Sequence, residues 1–215
     1  MGLKQTLFPN LTRLAGAGLA ERVRYRVVCK YLGGVLLILA GASLLACLVS
    51  MSLGEGWLYR LFYLFYAAAS GACGWLLYRM VPEKEINLPE AAAIASLSFL
   101  LGSLAGGVIF FFLAGMPALD AWFEAMSGFT TTGFSLLDVE AAPVSVLFYR
   151  ALSQWLGGIG FVMITVSLLM ASGSSAVTFI REESREKLFP RMARHVQIIA
   201  LTYMALTVLG VVGLL

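Results

Sequence analysis

The chain has 215 residues, of which 60% are apolar and 13% are charged, and its mean hydropathy is +0.88. A soluble domain carries about 25% charged residues, which it needs to present a solvated surface. This composition excludes an ordinary soluble enzyme, a disordered chain and a nucleic-acid-binding protein. At roughly 20 apolar residues per span, the length accommodates about five transmembrane helices. The sequence therefore predicts an all-α integral membrane protein.

Five long apolar runs predict the membrane-spanning helices: residues 31–51, 57–80, 91–115, 146–171 and 196–215. The first 30 residues are more polar, and we expect an interfacial or cytoplasmic arm there. The runs then divide the chain into a leading helix pair at 31–81, a unit at 90–172 whose two spans flank a loop at 116–145, a basic connection at 173–195 and a last helix at 196–215.

Lysine and arginine lie mostly on one side of these spans. Of the 15 basic residues, only Arg60 and Arg150 lie outside the amino-terminal arm, the second connection and the fourth connection. Because cytoplasmic loops are enriched in Lys and Arg, the pattern predicts a multi-pass protein of the plasma membrane with a cytoplasmic amino terminus.

The loop at 116–145 is neither a tight turn nor a hydrophilic domain. Pro117 suits the first position of a helix, and the 11 or so residues after it would make a helix of about 16 Å, roughly half a bilayer. The next residues, 128–135, read Gly-Phe-Thr-Thr-Thr-Gly-Phe-Ser and are poor helix formers. Half a helix followed by an extended strand predicts a re-entrant loop, which is tolerated at membrane depth only where protein or water surrounds it.

An extended Thr/Gly strand suits the coordination of a cation. Carbonyl oxygens that point into a pore replace the hydration shell of the ion, and threonine hydroxyls can add further ligands. Gly133 would supply a backbone conformation that a β-carbon penalises. The carboxyl end of the short helix carries about half a negative charge and would face the cation. We therefore interpret the strand as part of a cation filter.

Two acidic residues of the same loop, Asp120 and Glu124, are four positions apart and share one face of the predicted short helix. No Lys or Arg occurs between Lys84 and Arg150. Without a cationic partner, the two carboxylates would form a vestibule whose negative potential concentrates cations. The alternative is an ordinary solvated acidic loop. The adjacent Thr/Gly strand makes us favour the vestibule.

Two motifs place the chain among known transporters. Residues 123–135, Phe-Glu-Ala-Met-Ser-Gly-Phe-Thr-Thr-Thr-Gly-Phe-Ser, resemble the first pore loop and filter of the Trk/Ktr/HKT superfamily of potassium transporters. Residues 154–161, Gln-Trp-Leu-Gly-Gly-Ile-Gly-Phe, are similar to the helix that follows that filter. The two spans before this unit are typical of the bacterial TrkH-type branch.

The resemblance implies a channel-like potassium uptake protein of the bacterial inner membrane, in which four membrane–pore–membrane units surround one pore. Each unit gives one filter strand, formed here by Thr130, Thr131, Thr132 and Gly133. Potassium would bind to backbone oxygens, including those of Thr131 and Thr132, and it is the transported ion, so we expect no cofactor. Phe134 and Ser135 would shape the outer end of the strand.

Three glycines of the second motif are interpreted as small residues that permit close helix approach, in preference to a direct role in conduction. They are Gly157, Gly158 and Gly160.

The resemblance also implies partners. These are the potassium ion, the lipid membrane, the remaining pore units, a second copy of the full-length protein and a cytosolic nucleotide-binding regulatory subunit on the basic connection; no nucleic acid is expected. One strand cannot surround an ion. Either the chain is the amino-terminal part of a longer protein, which we favour, or four copies assemble. In the favoured case the helix at 196–215 is the first of an incomplete second unit.

Enzymatic function finds little support in the sequence. Ser127 and Ser135 have no histidine base, because the only histidine, His195, is predicted to lie on the opposite side of the membrane. No metal-ligand cluster or phosphate-binding glycine loop is present in the sequence. We predict that the chain is not an enzyme. The alternative is a membrane-embedded enzyme or a helical assembly subunit without ion conduction.

Overall fold

A computed structural model describes residues 23–80, 88–171 and 188–214, and these residues form six helices and no β-strand. The helices are α1 (Tyr25–Ser52), α2 (Trp57–Arg79), α3 (Leu88–Leu113), α4 (Ala118–Phe129), α5 (Val144–Ala171) and α6 (Leu188–Leu214). The predicted all-α class is confirmed. Most of the predicted arm at 1–30 and of the basic connection at 173–195 lies outside the described residues.

Within the described part of the chain, three helices are long and apolar enough to cross a membrane: Tyr25–Ser52, Trp57–Arg79 and Pro89–Leu113. They correspond to the first three predicted spans. The fourth and fifth apolar runs are helical in α5 and α6. That these two helices also cross the membrane stays a prediction.

The first helix begins at Tyr25, six positions before the predicted start of the span at residue 31. The basic residues of this stretch suggested a polar arm, but the helix accommodates them. Lys30 is buried, and its Nζ lies 5.0 Å from the centre of the Tyr78 ring. An ammonium over an aromatic face is stabilised by the ring quadrupole, so Lys30 does not end the helix.

The chain divides into two compact units, Met1–Gly102 and Ser103–Leu215. In the first unit, α1 and α2 pack antiparallel against each other. Gly33 of α1 faces Gly74 of α2, and further along the pair the Ser43 hydroxyl donates a hydrogen bond to the Tyr63 carbonyl at 2.9 Å. Small residues at such a contact let two backbones approach closely, which is how helices associate in lipid.

Gly33 tests this contact. Alanine at position 33 would place its Cβ 2.7 Å from the Gly74 carbonyl oxygen and 2.9 Å from the Tyr78 nitrogen, both backbone atoms that no rotamer change can move. We expect Gly33→Ala to lower the free energy of unfolding by about 1–3 kcal/mol. Thermal unfolding in detergent measures the change. Gly34→Ala is the matched control, because a Cβ there has no neighbour among the described residues within 4 Å. Equal stability of the two variants would contradict the close contact.

An ion pair joins the beginnings of α1 and α3 within the first unit. The Glu90 carboxylate is fully buried and accepts hydrogen bonds from the Arg24 backbone N–H at 2.9 Å and from its Nε at 2.7 Å and Nη2 at 2.8 Å. Arg24 is the residue before the first turn of α1, so Glu90 also satisfies one of the amide groups that a helix start leaves open. The buried charge is thus compensated by both a counter-charge and hydrogen bonds.

Candidate functional site

The site is built around α4, the half-helix predicted from the loop at 116–145. It contains 12 residues, which corresponds to about 18 Å of helix. Pro117 precedes the first helical residue, where its missing N–H costs nothing. The helix continues through Gly128 and Phe129, two residues that the sequence assigned to the extended strand. It ends at Phe129 and is capped by Thr130, whose N–H and hydroxyl both donate to the Met126 carbonyl, at 2.9 and 2.7 Å.

Helix α4 packs closely on α3 within the second unit. A Cβ added to Gly106 would lie 2.9 Å from the Phe129 ring, and one added to Gly107 would lie 3.3 Å from the Ala121 carbonyl oxygen. On the same side, the Trp122 Nε1–H donates to Ser103 Oγ at 3.1 Å. Gly106 and Gly107 were not among the predicted packing residues. Adjacent small residues inside an apolar run were the signal for this contact.

The Thr/Gly segment, residues 130–133, leaves the end of α4 and is exposed throughout. Thr131 has a φ of +55° and Gly133 a φ of +86°, so both occupy the left-handed region. The expectation that Gly133 adopts a conformation unfavourable to a β-carbon is confirmed. Thr131 adopts such a conformation despite its branched Cβ, which requires the surrounding structure to hold it there.

Hydrogen bonds turn the Thr/Gly segment back over the end of the half-helix. The Thr131 N–H donates to the Gly128 carbonyl at 3.0 Å, and the Thr132 N–H donates to the Ser127 carbonyl at 3.0 Å. The hydroxyls of Thr130 and Thr132 lie 2.7 Å apart. Thr130 and Thr131 therefore form a turn, and the chain from Thr132 to Leu136 has no regular secondary structure. The extended strand predicted from residues 128–135 is therefore not observed: Gly128 and Phe129 end α4, and Thr131 and Gly133 have left-handed backbone.

The next four residues, 134–137, form what we call the anchored segment. The Phe134 carbonyl accepts a hydrogen bond from the Ser127 hydroxyl at 2.5 Å. Three successive residues then donate to the Glu124 carboxylate: the Ser135 hydroxyl at 2.9 Å and the N–H groups of Leu136 at 2.7 Å and Leu137 at 3.3 Å. Phe134 and Ser135 directly follow the Thr/Gly segment, and their role in shaping the outer end of a filter stays a prediction.

Glu124 is itself paired with Arg150 of α5. The Arg150 Nε donates to Glu124 Oε1, and Nη2 lies 3.4 Å from the Phe134 carbonyl oxygen. The Glu124 side chain is 0% exposed. These donors surround the carboxylate with charge-assisted hydrogen bonds, which favour its ionised form.

The prediction that Glu124 lines an open vestibule without a cationic partner is therefore wrong. Arg150 is 26 positions further along the chain and approaches Glu124 only because α5 packs on α4. The signal was available, since an arginine inside an apolar run needs a partner at membrane depth. Asp120 remains partly exposed, and its contribution to a vestibule stays a prediction.

The glycines of α5 divide into two groups. A Cβ on Gly157 would overlap the Phe129 carbonyl group, and one on Gly158 would lie 2.6 Å from the Tyr203 hydroxyl of α6. Both contacts fit the interpretation of these residues as packing positions. A Cβ on Gly160, in contrast, would have no atom of the described chain within 4 Å. Within the described chain, the packing interpretation is therefore not supported for Gly160.

Comparisons with known proteins identify the family. The family model of TrkH, described as a cation transport protein, matches residues 97–215, which include α4, the Thr/Gly segment and α5. The chain belongs to the TrkH cation transport family. The TrkH match begins within α3 and runs to residue 215.

Named relatives agree with the TrkH assignment. An uncharacterised cation transporter of Methanocaldococcus jannaschii is 30% identical over 84% of this chain and 38% of its own length. The Trk system potassium uptake protein TrkH of Salmonella typhimurium is 31% identical over 86% of this chain and 40% of its own length. The TrkH protein of Escherichia coli K12 is 30% identical with the same coverage. The chain thus spans 38–40% of the length of these relatives.

Proposed function

We propose that the chain supplies one quarter of the selectivity filter of a potassium uptake protein in the bacterial inner membrane, with its amino terminus in the cytoplasm. The observation that carries the proposal is the exposed Thr/Gly segment with left-handed backbone at Thr131 and Gly133, which follows a half-helix. Family membership and the potassium uptake activity named for the TrkH relatives support potassium as the ion.

In the proposed mechanism, backbone oxygens of Thr130, Thr131, Thr132 and Gly133 replace part of the hydration shell of potassium. The threonine hydroxyls are further oxygen donors on the same exposed segment. The carboxyl end of α4 contributes a partial negative charge beside the ion path. Oxygen ligands and a helix dipole suit a monovalent cation that must bind weakly enough to leave again.

The proposed architecture comprises the α1–α2 pair, one membrane–pore–membrane unit at 90–172 and the first helix of a second unit in α6. Because one strand cannot surround an ion, three further strands complete the pore, and pore units of a longer chain are their favoured source. We further propose a dimer of the full-length protein, and a nucleotide-binding regulatory subunit that docks on the cytoplasmic connection at 173–195.

Ion flux tests the proposal. The protein expressed from its complete gene is reconstituted into proteoliposomes, and uptake of potassium and of sodium is measured against protein-free vesicles. We expect potassium uptake that exceeds sodium uptake, together with growth of a potassium-uptake-deficient bacterium on low potassium when it carries the gene. A folded, reconstituted protein that moves neither cation would contradict the proposal and favour a helical assembly subunit or a membrane-embedded enzyme.

A further inference from the structure

We infer that the Glu124–Arg150 ion pair determines ion selectivity. It fixes the positions of the filter oxygens by holding the adjacent anchored segment, and it does not contact the ion itself. The inference rests on the proposed function, since selectivity has meaning only if the Thr/Gly segment lines an ion path. It assigns a positioning role to two residues that lie outside the predicted filter.

The ion pair holds the chain immediately after the Thr/Gly segment. The Glu124 carboxylate accepts hydrogen bonds from the last three residues of the anchored segment, 135–137. Arg150 donates both to this carboxylate and to the carbonyl of the first residue, Phe134. Every residue of the anchored segment is thus bonded to one member of the pair. The opposite end of the Thr/Gly segment is held by the last turn of α4, through bonds to Met126, Ser127 and Gly128.

The Thr/Gly segment needs to be held at both ends. Its four residues are exposed, and Thr131 occupies a backbone region that costs a residue with a Cβ about 1–2 kcal/mol, so the segment would relax if released. Discrimination between potassium and sodium depends on the number, spacing and rigidity of the coordinating oxygens. Loss of the ion pair would allow the carbonyl groups of the Thr/Gly segment to move inward and coordinate sodium, the smaller of the two ions.

Burial makes the pair sensitive to a change in either partner. Glu124 is 0% exposed and Arg150 is 18% exposed, so removal of one charge leaves the other poorly solvated. Glutamine at position 124 keeps the size of the side chain but loses the charge. Its amide also replaces one acceptor oxygen by a donor, which would face either the N–H groups of Leu136 and Leu137 or the Nε–H of Arg150.

The chain offers a matched control in the Arg24–Glu90 pair. Glu90 is also 0% exposed, also paired with an arginine, and also bonded to a backbone N–H group. It belongs to the first unit, whereas the Thr/Gly segment belongs to the second. Arg24 is 43% exposed, against 18% for Arg150. Glu90→Gln therefore breaks an ion pair of a buried glutamate that includes no residue of the Thr/Gly segment or the anchored segment.

The experiment compares the wild type, Glu124→Gln, Ser135→Ala and Glu90→Gln, each expressed from the complete gene and reconstituted for measurement of the potassium-to-sodium permeability ratio. We expect Glu124→Gln to lower the ratio about tenfold, which corresponds to ~1.4 kcal/mol of lost discrimination. Ser135→Ala removes one exposed donor and should lower it about threefold, or ~0.7 kcal/mol. Glu90→Gln should keep the wild-type ratio even where thermal stability falls.

The outcomes separate this inference from the proposed function. A wild type that moves no potassium defeats the proposed function. A potassium-selective wild type whose ratio is unchanged in Glu124→Gln and Ser135→Ala defeats the ion-pair inference alone, as does an equal fall in Glu90→Gln. If Glu124→Gln does not yield folded protein, Ser135→Ala decides, because its exposed side chain can be truncated without opening the core.

Discussion

Alanine at position 157 is expected to abolish potassium uptake and to destabilise the protein by about 3 kcal/mol or more. The added Cβ would overlap the carbonyl group of Phe129 and lie 2.9 Å from its Cα. Because all of these are backbone atoms, a rotamer change cannot relieve the overlap, and α4 must shift away from α5. Phe129 is the last residue of α4 and precedes the Thr/Gly segment, so the shift displaces the proposed filter segment directly.

Two measurements check this prediction: thermal unfolding in detergent, and potassium flux at matched amounts of folded protein. Gly160→Ala is the control, since it adds the same methyl group to the same helix where no described atom lies within 4 Å. We expect wild-type flux in Gly160→Ala and none in Gly157→Ala. If Gly157→Ala retains both stability and flux, the close contact between α4 and α5 does not exist in the membrane.

Features set by local sequence could be predicted. Pro117 and the helix-forming residues after it predicted the half-helix, and the Thr/Gly run predicted its end, because each acts through the backbone of its own neighbourhood. The φ of +86° at Gly133 was foreseeable for the same reason. The extended strand predicted after the half-helix was wrong, since Thr130 and Thr131 form a turn. The predicted helix end was wrong by two residues, because Thr130 caps the last turn with its own hydroxyl and the helix continues through Gly128 and Phe129.

Features set by packing between distant segments could not be predicted in the same way. The Glu124–Arg150 pair joins residues 26 positions apart, and no spacing rule connects a half-helix to the helix that follows a long loop. The difference between Gly157 and Gly160 depends on which side of α5 faces α4. The sequence indicated that Glu124, Gly157 and Gly160 were candidate functional or packing residues. Only the packing of the helices determines which atoms each of them contacts.

Serine at position 133 is expected to weaken the discrimination of potassium against sodium by about tenfold. Gly133 has a φ of +86°, a region that costs a residue with a Cβ roughly 1–2 kcal/mol, and 1.4 kcal/mol corresponds to a factor of ten. Among the described residues a Cβ there would approach only Gln154 Nε2, at 4.0 Å. The penalty within the chain is therefore backbone strain, and we expect the segment to relieve it by rotating its carbonyl groups away from the positions in which we propose that they bind the ion.

The control for Gly133→Ser is Gly115→Ser. Gly115 has a φ of +66° and open space around it in the described chain, so serine imposes a similar strain in the connection between α3 and α4. Both variants should unfold at lower temperatures than the wild type, and only Gly133→Ser should change the permeability ratio. If Gly115→Ser changed the ratio equally, strain anywhere near α4 would disturb the ion path. If neither changed it, Gly133 would be only a turn residue, and the filter oxygens would have to lie elsewhere in the loop.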